Sequence, residues 1–265
     1  MMRKLKILHR DHLETVRTLI IGGSSRLGFA VASGALANGS KVHITPVTTE
    51  KLSTKIEIQS LYPNAHTSPT QRHNIQSMLD VAVKETGGVI VYTAGDSRGS
   101  ETLAKATAAS ALKHFTVRYL GPLLVGKLVA ANPGKYLNSA TSSSIILTSG
   151  VLAHRPRPGN SPMIGPAGAV EVLTRVLAVD LAPIRVNVVI PGLLDTELVQ
   201  GMVGGNTALL SASVAASLTK KIGTPEGTAE AYLFSMRSAL ATGQGFKIGS
   251  GGLLVLAVMP GKSIA

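Results

Sequence analysis

The chain has 265 residues, 45% of them apolar and 15% charged, a length and composition that suit one α/β domain with a large core and exclude intrinsic disorder. It has no cysteine, which excludes disulfides, cysteine-based zinc sites and thiol chemistry. The formal charge of +12 favours anionic ligands, but the basic residues are dispersed and no nucleic-acid recognition motif accompanies them, so no nucleic-acid partner is expected.

Residues 1–16 read as a basic N-terminal extension and 17–265 as a single domain. The start carries Asp11 and Glu14 and lacks the sustained apolar run of a secretory signal. The most apolar stretch, 120–131, is broken by Lys127 and falls short of the roughly 18 residues a membrane span needs. A cytoplasmic protein with no membrane partner is expected.

The spacing of apolar residues predicts strands at 18–21, 42–45, 88–92, 144–148, 185–190 and 245–248. Between them it predicts helices at 27–37, 51–61, 75–85, 106–129 (as one or two), 167–181 and 225–240. Fully apolar strands alternating with helices predict a Rossmann-type doubly wound parallel sheet with helices on both faces.

Directly after the first predicted strand comes Gly22-Gly23-Ser24-Ser25-Arg26-Leu27-Gly28, which opens a helix. Glycine permits the tight turn, and the free N–H groups of a helix N-terminus suit a diphosphate. In this context the chain resembles the short-chain dehydrogenase/reductase family. That family's T-G-x-x-x-G-x-G pattern has Ile21, Gly22, Arg26 and Gly28 at its fixed positions, with Arg26 replacing the middle glycine. Tyr92-Thr93-Ala94-Gly95 is similar to the end of N-N-A-G, and Arg185-Val-Asn-Val-Val-Ile-Pro-Gly192 with Thr196 to R-V-N-x-V-x-P-G-x-x-x-T. Thr242-Gly243 and Gly251-Gly252 follow the closing pattern, with Ser250 in place of its acid. The resemblance covers 17–255.

It implies that Gly22, Ser24, Ser25, Arg26, Leu27 and Gly28 wrap the diphosphate and adenosine ribose of a nicotinamide cofactor. It also implies that Ala94 and Gly95 lie near the adenosine half, and that Pro191, Gly192 and Thr196 hold the nicotinamide amide. NAD-binders carry an acid about 20 residues beyond the loop. Here the second strand ends in Thr45 and is followed by Thr48, with no acid between them. Arg26 is available to pair with a 2′-phosphate, with hydroxyls at Ser25, Thr45 and Thr48, so NADP(H) is expected rather than NAD(H).

The family's chemistry rests on Ser, Tyr and Lys, with an Asn earlier in the chain. Aligned on Ala169-Val170-Glu171, this sequence has Met163 at the Tyr, Ala167 at the Lys and Gly150 at the Ser. Arg118 stands at the Asn. Neighbouring Ser149, Ser161 and Tyr119 do not recreate the Tyr-x-x-x-Lys pairing, which needs one helical turn between its members. Losing a general acid removes ~10²–10⁴ in rate, so ordinary ketone reduction is expected to be severely impaired.

Three readings follow: a reductase of an imine or iminium, which needs no proton; a non-redox cyclase or pericyclase that uses NADP structurally; and an inactive NADP-binding protein. Leu177-Ala-Val-Asp-Leu-Ala-Pro-Ile-Arg-Val-Asn-Val-Val, together with Thr148-Ser-Gly and His154-Arg-Pro-Arg-Pro, is similar to a divergent fungal branch of the family. That branch contains reductases of indole-alkaloid biosynthesis, which reduce an iminium and steer an intramolecular Diels–Alder reaction. The branch's chemistry implies an arginine, for which Arg118 is the candidate, and an aspartate, for which no match is found. Arg118 is then the expected catalytic residue for a small-molecule substrate, with Gly150, His154, Met163 and Met202 lining its pocket. Met202 falls where the family places a flexible lid, among Gly201, Gly204 and Gly205. The remaining histidines show no metal-ligand spacing, and no metal is expected. By the same resemblance, 106–129 and 167–181 are the helices of a homodimer or homotetramer.

Overall fold

Arg17–Ile21 forms β1, an aliphatic run free of glycine and proline that is buried from Thr18 onward. The computed structural model describes residues 13–14, 16–23, 25–45, 66–67, 79–80, 88–95, 102–156, 159–196 and 207–255. In chain order β1 is followed by α1 (Arg26–Ala37), β2 (Lys41–Thr45), β3 (His66–Thr67), β4 (Val89–Tyr92), α2 (Ala108–Phe115) and α3 (Gly121–Ala131). Then come β5 (Ser144–Thr148), α4 (Ser161–Asp180), β6 (Arg185–Pro191), α5 (Thr207–Ala215), α6 (Pro225–Arg237) and β7 (Gly245–Ile248).

The strands form one seven-stranded sheet in the order β3-β2-β1-β4-β5-β6-β7, parallel throughout. Alternate side chains feed two cores. Leu19, Ile21, Ile90, Tyr92, Ile145, Leu147, Val186 and Val188 face one side, where Val125 and Val129 of α3 and Val170, Leu173 and Leu177 of α4 cover them. Ile20, Val89, Val91, Ile146 and Val189 face the other, under Val31 and Ala35 of α1 and Tyr232 and Leu233 of α6. Leu13, placed by the sequence in the N-terminal extension, is fully buried in this second core.

The Arg185-Val-Asn187 run has a structural task. The Arg185 guanidinium is 3% exposed and donates to the carbonyls of Thr141 (2.7 Å), Ser235 (2.6 Å) and Met236 (3.0 Å). Burial pushes its pKa below the usual guanidinium value. Asn187 donates to Ala241 O and accepts from Gln244 N, which ties β6 to the start of β7.

The stretch predicted over 106–129 as one or two helices is two, α2 and α3, joined by a π-helical turn, Thr116–Leu120. Two other helices have bounds that differ from the sequence reading. Helix α4 starts at Ser161 rather than 167: Pro162 sits where no intrahelical N–H is needed, and Pro166 is tolerated one turn later. This helix is also long and apolar enough to cross a membrane by length and composition, which the sequence reading passed over. Here it is a core helix, with Met163, Ala167, Val170, Leu173 and Leu177 buried. Helix α6 ends at Arg237, because Ser238 turns extended. The strand β3 and helix α5 were not anticipated. The predicted helix 51–61, and 75–85 apart from residues 79 and 80, lie outside the described residues.

Candidate active site

The glycine-rich turn is built on close backbone approach. Gly22 has φ +94°, and a Cβ there would stand 2.5 Å from Ala94 N. A Cβ at Gly28 would stand 2.3 Å from Gly22 O. Neither position admits a side chain without moving backbone. Ser25 caps α1: its Oγ accepts from Gly28 N at 3.1 Å and donates to Gly22 O at 2.9 Å. The N–H groups of Arg26 and Leu27 are left without an intrahelical partner at the open end of the helix. Ala94 and Gly95 leave the end of β4 beside this turn, and Ala94 N, like Thr93 N, bonds Ile21 O. At the end of β2, the Thr45 hydroxyl is fully buried and has no hydrogen-bond partner among the described residues. Ser24 and Thr48 lie outside the described residues.

Arg26 does not point toward β2, where the expected 2′-phosphate would lie. Its Nη1 donates to Asp195 O at 3.2 Å, on the loop after β6. That loop is fixed by Gly192 N to Ile248 O (2.7 Å) and Asp195 N to Gly223 O (2.8 Å), which place Pro191, Gly192 and half-buried Thr196 at the ends of β6 and β7.

Arg118 lies in the π-helical turn, a geometry that widens one helical turn and recurs at functional sites. The turn is held by Tyr92, whose hydroxyl donates to Val117 O at 2.8 Å. The guanidinium packs over Gly95: a Cβ there would meet Arg118 Nη2 at 2.7 Å and Cζ at 3.0 Å. The structure thus brings Arg118, Gly95 and Ala94 together at the carboxyl end of β4, next to the Gly22 turn.

On α4, Met163 and Ala167 are both buried, at 6% and 7% exposure, one turn apart on the same face. Gly150 is buried at the start of the short turn after β5. His154 turns toward α4: its Nε2 lies 2.9 Å from Glu171 Oε2 and 3.1 Å from Oε1. Ser149 Oγ donates to Glu171 Oε1 at 2.7 Å and lies 2.9 Å from Ala167 O. Glu171 therefore joins the end of β5 to the loop carrying His154. Sequence reasoning used Glu171 only as an alignment mark. The available signal was an acid one turn after Ala167 in an otherwise apolar stretch of helix. Arg155 donates to Gly252 O and fastens the same loop to the turn after β7. The Thr148 hydroxyl donates to Tyr92 O at 2.8 Å and accepts from the Tyr232 hydroxyl at 2.8 Å. Full burial raises the Tyr232 pKa well above the usual phenol range. Met202 lies outside the described residues.

The chain matches the SDR-like Rossmann domain over residues 9–256. It is 34% identical over 260 residues to the short-chain dehydrogenase/reductase malC of Malbranchea aurantiaca, covering 92% of this chain and 97% of that one. It is 38% identical over 244 residues to the short-chain dehydrogenase/reductase ATR9 of Stachybotrys chlorohalonatus, covering 85% and 92%. The solved structure of the MalC reductase/Diels–Alderase from Malbranchea aurantiaca superposes with a TM-score of 0.84 at 33% identity, covering 92% of this chain and 99% of that one. With the parallel sheet, the glycine turn at its switch point and relatives matched along nearly their whole length, the chain belongs to the short-chain dehydrogenase/reductase family, among its fungal members.

Proposed function

We propose that the protein is an NADP(H)-dependent reductase that delivers hydride to an imine or iminium carbon of a secondary metabolite, with Diels–Alder-type ring closure in the same pocket as a coupled activity. The observation that carries this reading is the pair Met163 and Ala167. They are buried, apolar and one turn apart where the resemblance places a proton-donating Tyr and its Lys, with Gly150 at the Ser.

The residues present fit a dinucleotide. Gly22 and Gly28 let the turn pack backbone against backbone with no side chain of their own over the α1 N-terminus, whose free N–H groups suit a diphosphate, and the Thr45 hydroxyl at the end of β2 is buried with no partner among the described residues. Gly22, Ser25 and Gly28 would hold the diphosphate, and Pro191, Gly192 and Thr196 the nicotinamide end. When bound, the nicotinamide supplies the hydride. No acid ends β2, and the chain carries +12, which supports NADP(H) over NAD(H).

The chain's own residues decide what can be reduced. A ketone needs a proton at oxygen as hydride reaches carbon. An iminium carries its positive charge already and becomes a neutral amine without one. Met163 and Ala167 offer no proton and keep water from the reacting carbon. Arg118, held over Gly95, binds an amide or carboxylate oxygen elsewhere on the substrate and fixes its orientation. Removing the lysine charge also removes repulsion against a cationic substrate. Ring closure is supported by the Malbranchea aurantiaca relative, a reductase/Diels–Alderase.

Steady-state assays with NADPH and matched cyclic iminium and ketone substrates test this reading. It requires NADPH consumption with the iminium and at least about a hundredfold less with the ketone. Equal turnover of both, or NADPH oxidation with neither, contradicts it.

A further inference from the structure

Arg26 breaks a local rule of helix electrostatics. It is the first residue of α1, where the helix dipole is positive, and the first turn holds no acidic residue. A cation there is disfavoured unless an anion joins it. The side chain is exposed, and its hydrogen bond among the described residues is Nη1 to the neutral Asp195 carbonyl at 3.2 Å. That uses one of the several N–H donors of a guanidinium and satisfies none of its charge. Asp195 follows β6, and in the sheet β4 and β5 lie between β6 and β1. The arginine therefore reaches from the glycine turn toward the far bank of the cleft. A ligand laid along the carboxyl ends of the strands, starting on the α1 N-terminus, runs against this guanidinium.

We propose that Arg26 is a clamp on the diphosphate of the dinucleotide, joining the glycine turn to the Asp195 loop across the bound anion, and that it does not read the 2′-phosphate. The proposal rests on the dinucleotide-binding reading given above. Gly22 and Gly28 put no side chain of their own over the α1 N-terminus, where a diphosphate would sit, and the guanidinium supplies the charge that backbone N–H groups lack. Its single bond to Asp195 O keeps it poised there without neutralising it. Selection between NADP(H) and NAD(H) then falls to the end of β2, which carries no acid.

The test is equilibrium binding to wild type and to Arg26→Gln. NADPH and NADH are followed by nicotinamide fluorescence. ADP-ribose, which has the diphosphate but no 2′-phosphate, and adenosine 2′-monophosphate, which has the 2′-phosphate but no part of the diphosphate, are followed by calorimetry. The clamp requires NADPH, NADH and ADP-ribose to weaken by a similar factor, about tenfold or more, while the 2′-monophosphate stays within about twofold. Selective loss of NADPH and the 2′-monophosphate overturns the proposal in favour of a 2′-phosphate contact. Unchanged binding of all four overturns it in favour of a simple bridge to Asp195. Wild type that binds neither dinucleotide refutes the cofactor reading itself, before the variant is tested. Because Arg26 is exposed, the thermal transition of the variant should match wild type, which separates lost binding from lost folding.

Discussion

The guanidinium of Arg118 rests on Gly95 so closely that a methyl group on the glycine would stand 2.7 Å from Nη2. The colliding atoms are the end of a flexible side chain, so Gly95→Ala can be accommodated by moving the arginine. The variant should fold normally and lose substrate turnover to nearly the same extent as Arg118→Ala. Both should lower kcat/KM by about tenfold to a hundredfold, which is one charge-assisted contact to substrate. Kinetics and thermal melting of the two variants check this. Normal kinetics in Gly95→Ala would separate Arg118 from the reaction.

Under the proposed function, installing Met163→Tyr, Ala167→Lys and Gly150→Ser together should raise ketone reduction well above the wild-type level. Met163 and Ala167 already share one face of α4, so the new pair meets at the required spacing. Both sites are tightly buried, and the larger side chains should lower stability by about 1–3 kcal/mol. NADPH consumption with a ketone panel, and a denaturation curve, measure the two effects.

Glu171→Leu removes the acceptor shared by Ser149 and His154. Ser149 keeps its contact with Ala167 O, so the loss should be about 1–3 kcal/mol rather than global unfolding. Urea unfolding gives the number. Exchange of the backbone amides of residues 151–156 should rise, because that turn loses its anchor on α4.

Tyr232 sets a sign for alkaline stability. Its phenol stays protonated in the folded state above the pH at which the unfolded chain ionises, near pH 10. The folded state then holds the extra proton. Its contribution is complete below about pH 10 and is lost as pH rises, by up to ~1.4 kcal/mol per pH unit. Tyr232→Phe should lose about 1 kcal/mol near neutrality with its bond to Thr148, and should show a shallower decline above pH 10. Equal alkaline slopes for the two proteins would contradict this assignment.

Val172, Val176 and Val179 form an exposed apolar stripe on α4, at 52%, 48% and 77% exposure, and Leu112 of α2 is 65% exposed. The homo-oligomer expected from the sequence would cover these positions. Light scattering should give a dimer or tetramer, and Val176→Lys should shift it toward monomer with the fold retained. A wild-type monomer at micromolar concentration refutes the expectation.

Strands β1, β2, β4, β5 and β6 were legible because they are short, largely apolar runs, buried on both faces and separated by helices. The start of α4 was not, because Gly165 and Pro166 disfavour a helix; Pro166 gives up one hydrogen bond inside it, and the turn is held by burial of Met163, Pro166 and Ala167 against the core. The Gly22 and Gly28 cradle was legible from spacing alone. The direction of Arg26 was not: spacing fixes where a long side chain starts, and the loop it meets, at Asp195, is remote in sequence. The bond between Glu171 and His154 was hidden for the same reason, since it joins a loop to a helix. The π-helical turn under Arg118 has no local sequence pattern and is fixed by tertiary contacts such as that of Tyr92 with Val117.

The central claim is hydride delivery to a carbon that needs no proton donor. The direct measurement is a reaction of the wild-type protein with 4-deuterated NADPH and a cyclic iminium, followed by mass spectrometry of the amine. The account predicts one deuterium in the product at the former iminium carbon, with the matched ketone left unreduced. An unlabelled cyclised product, or deuterium transferred equally well to the ketone, would contradict it.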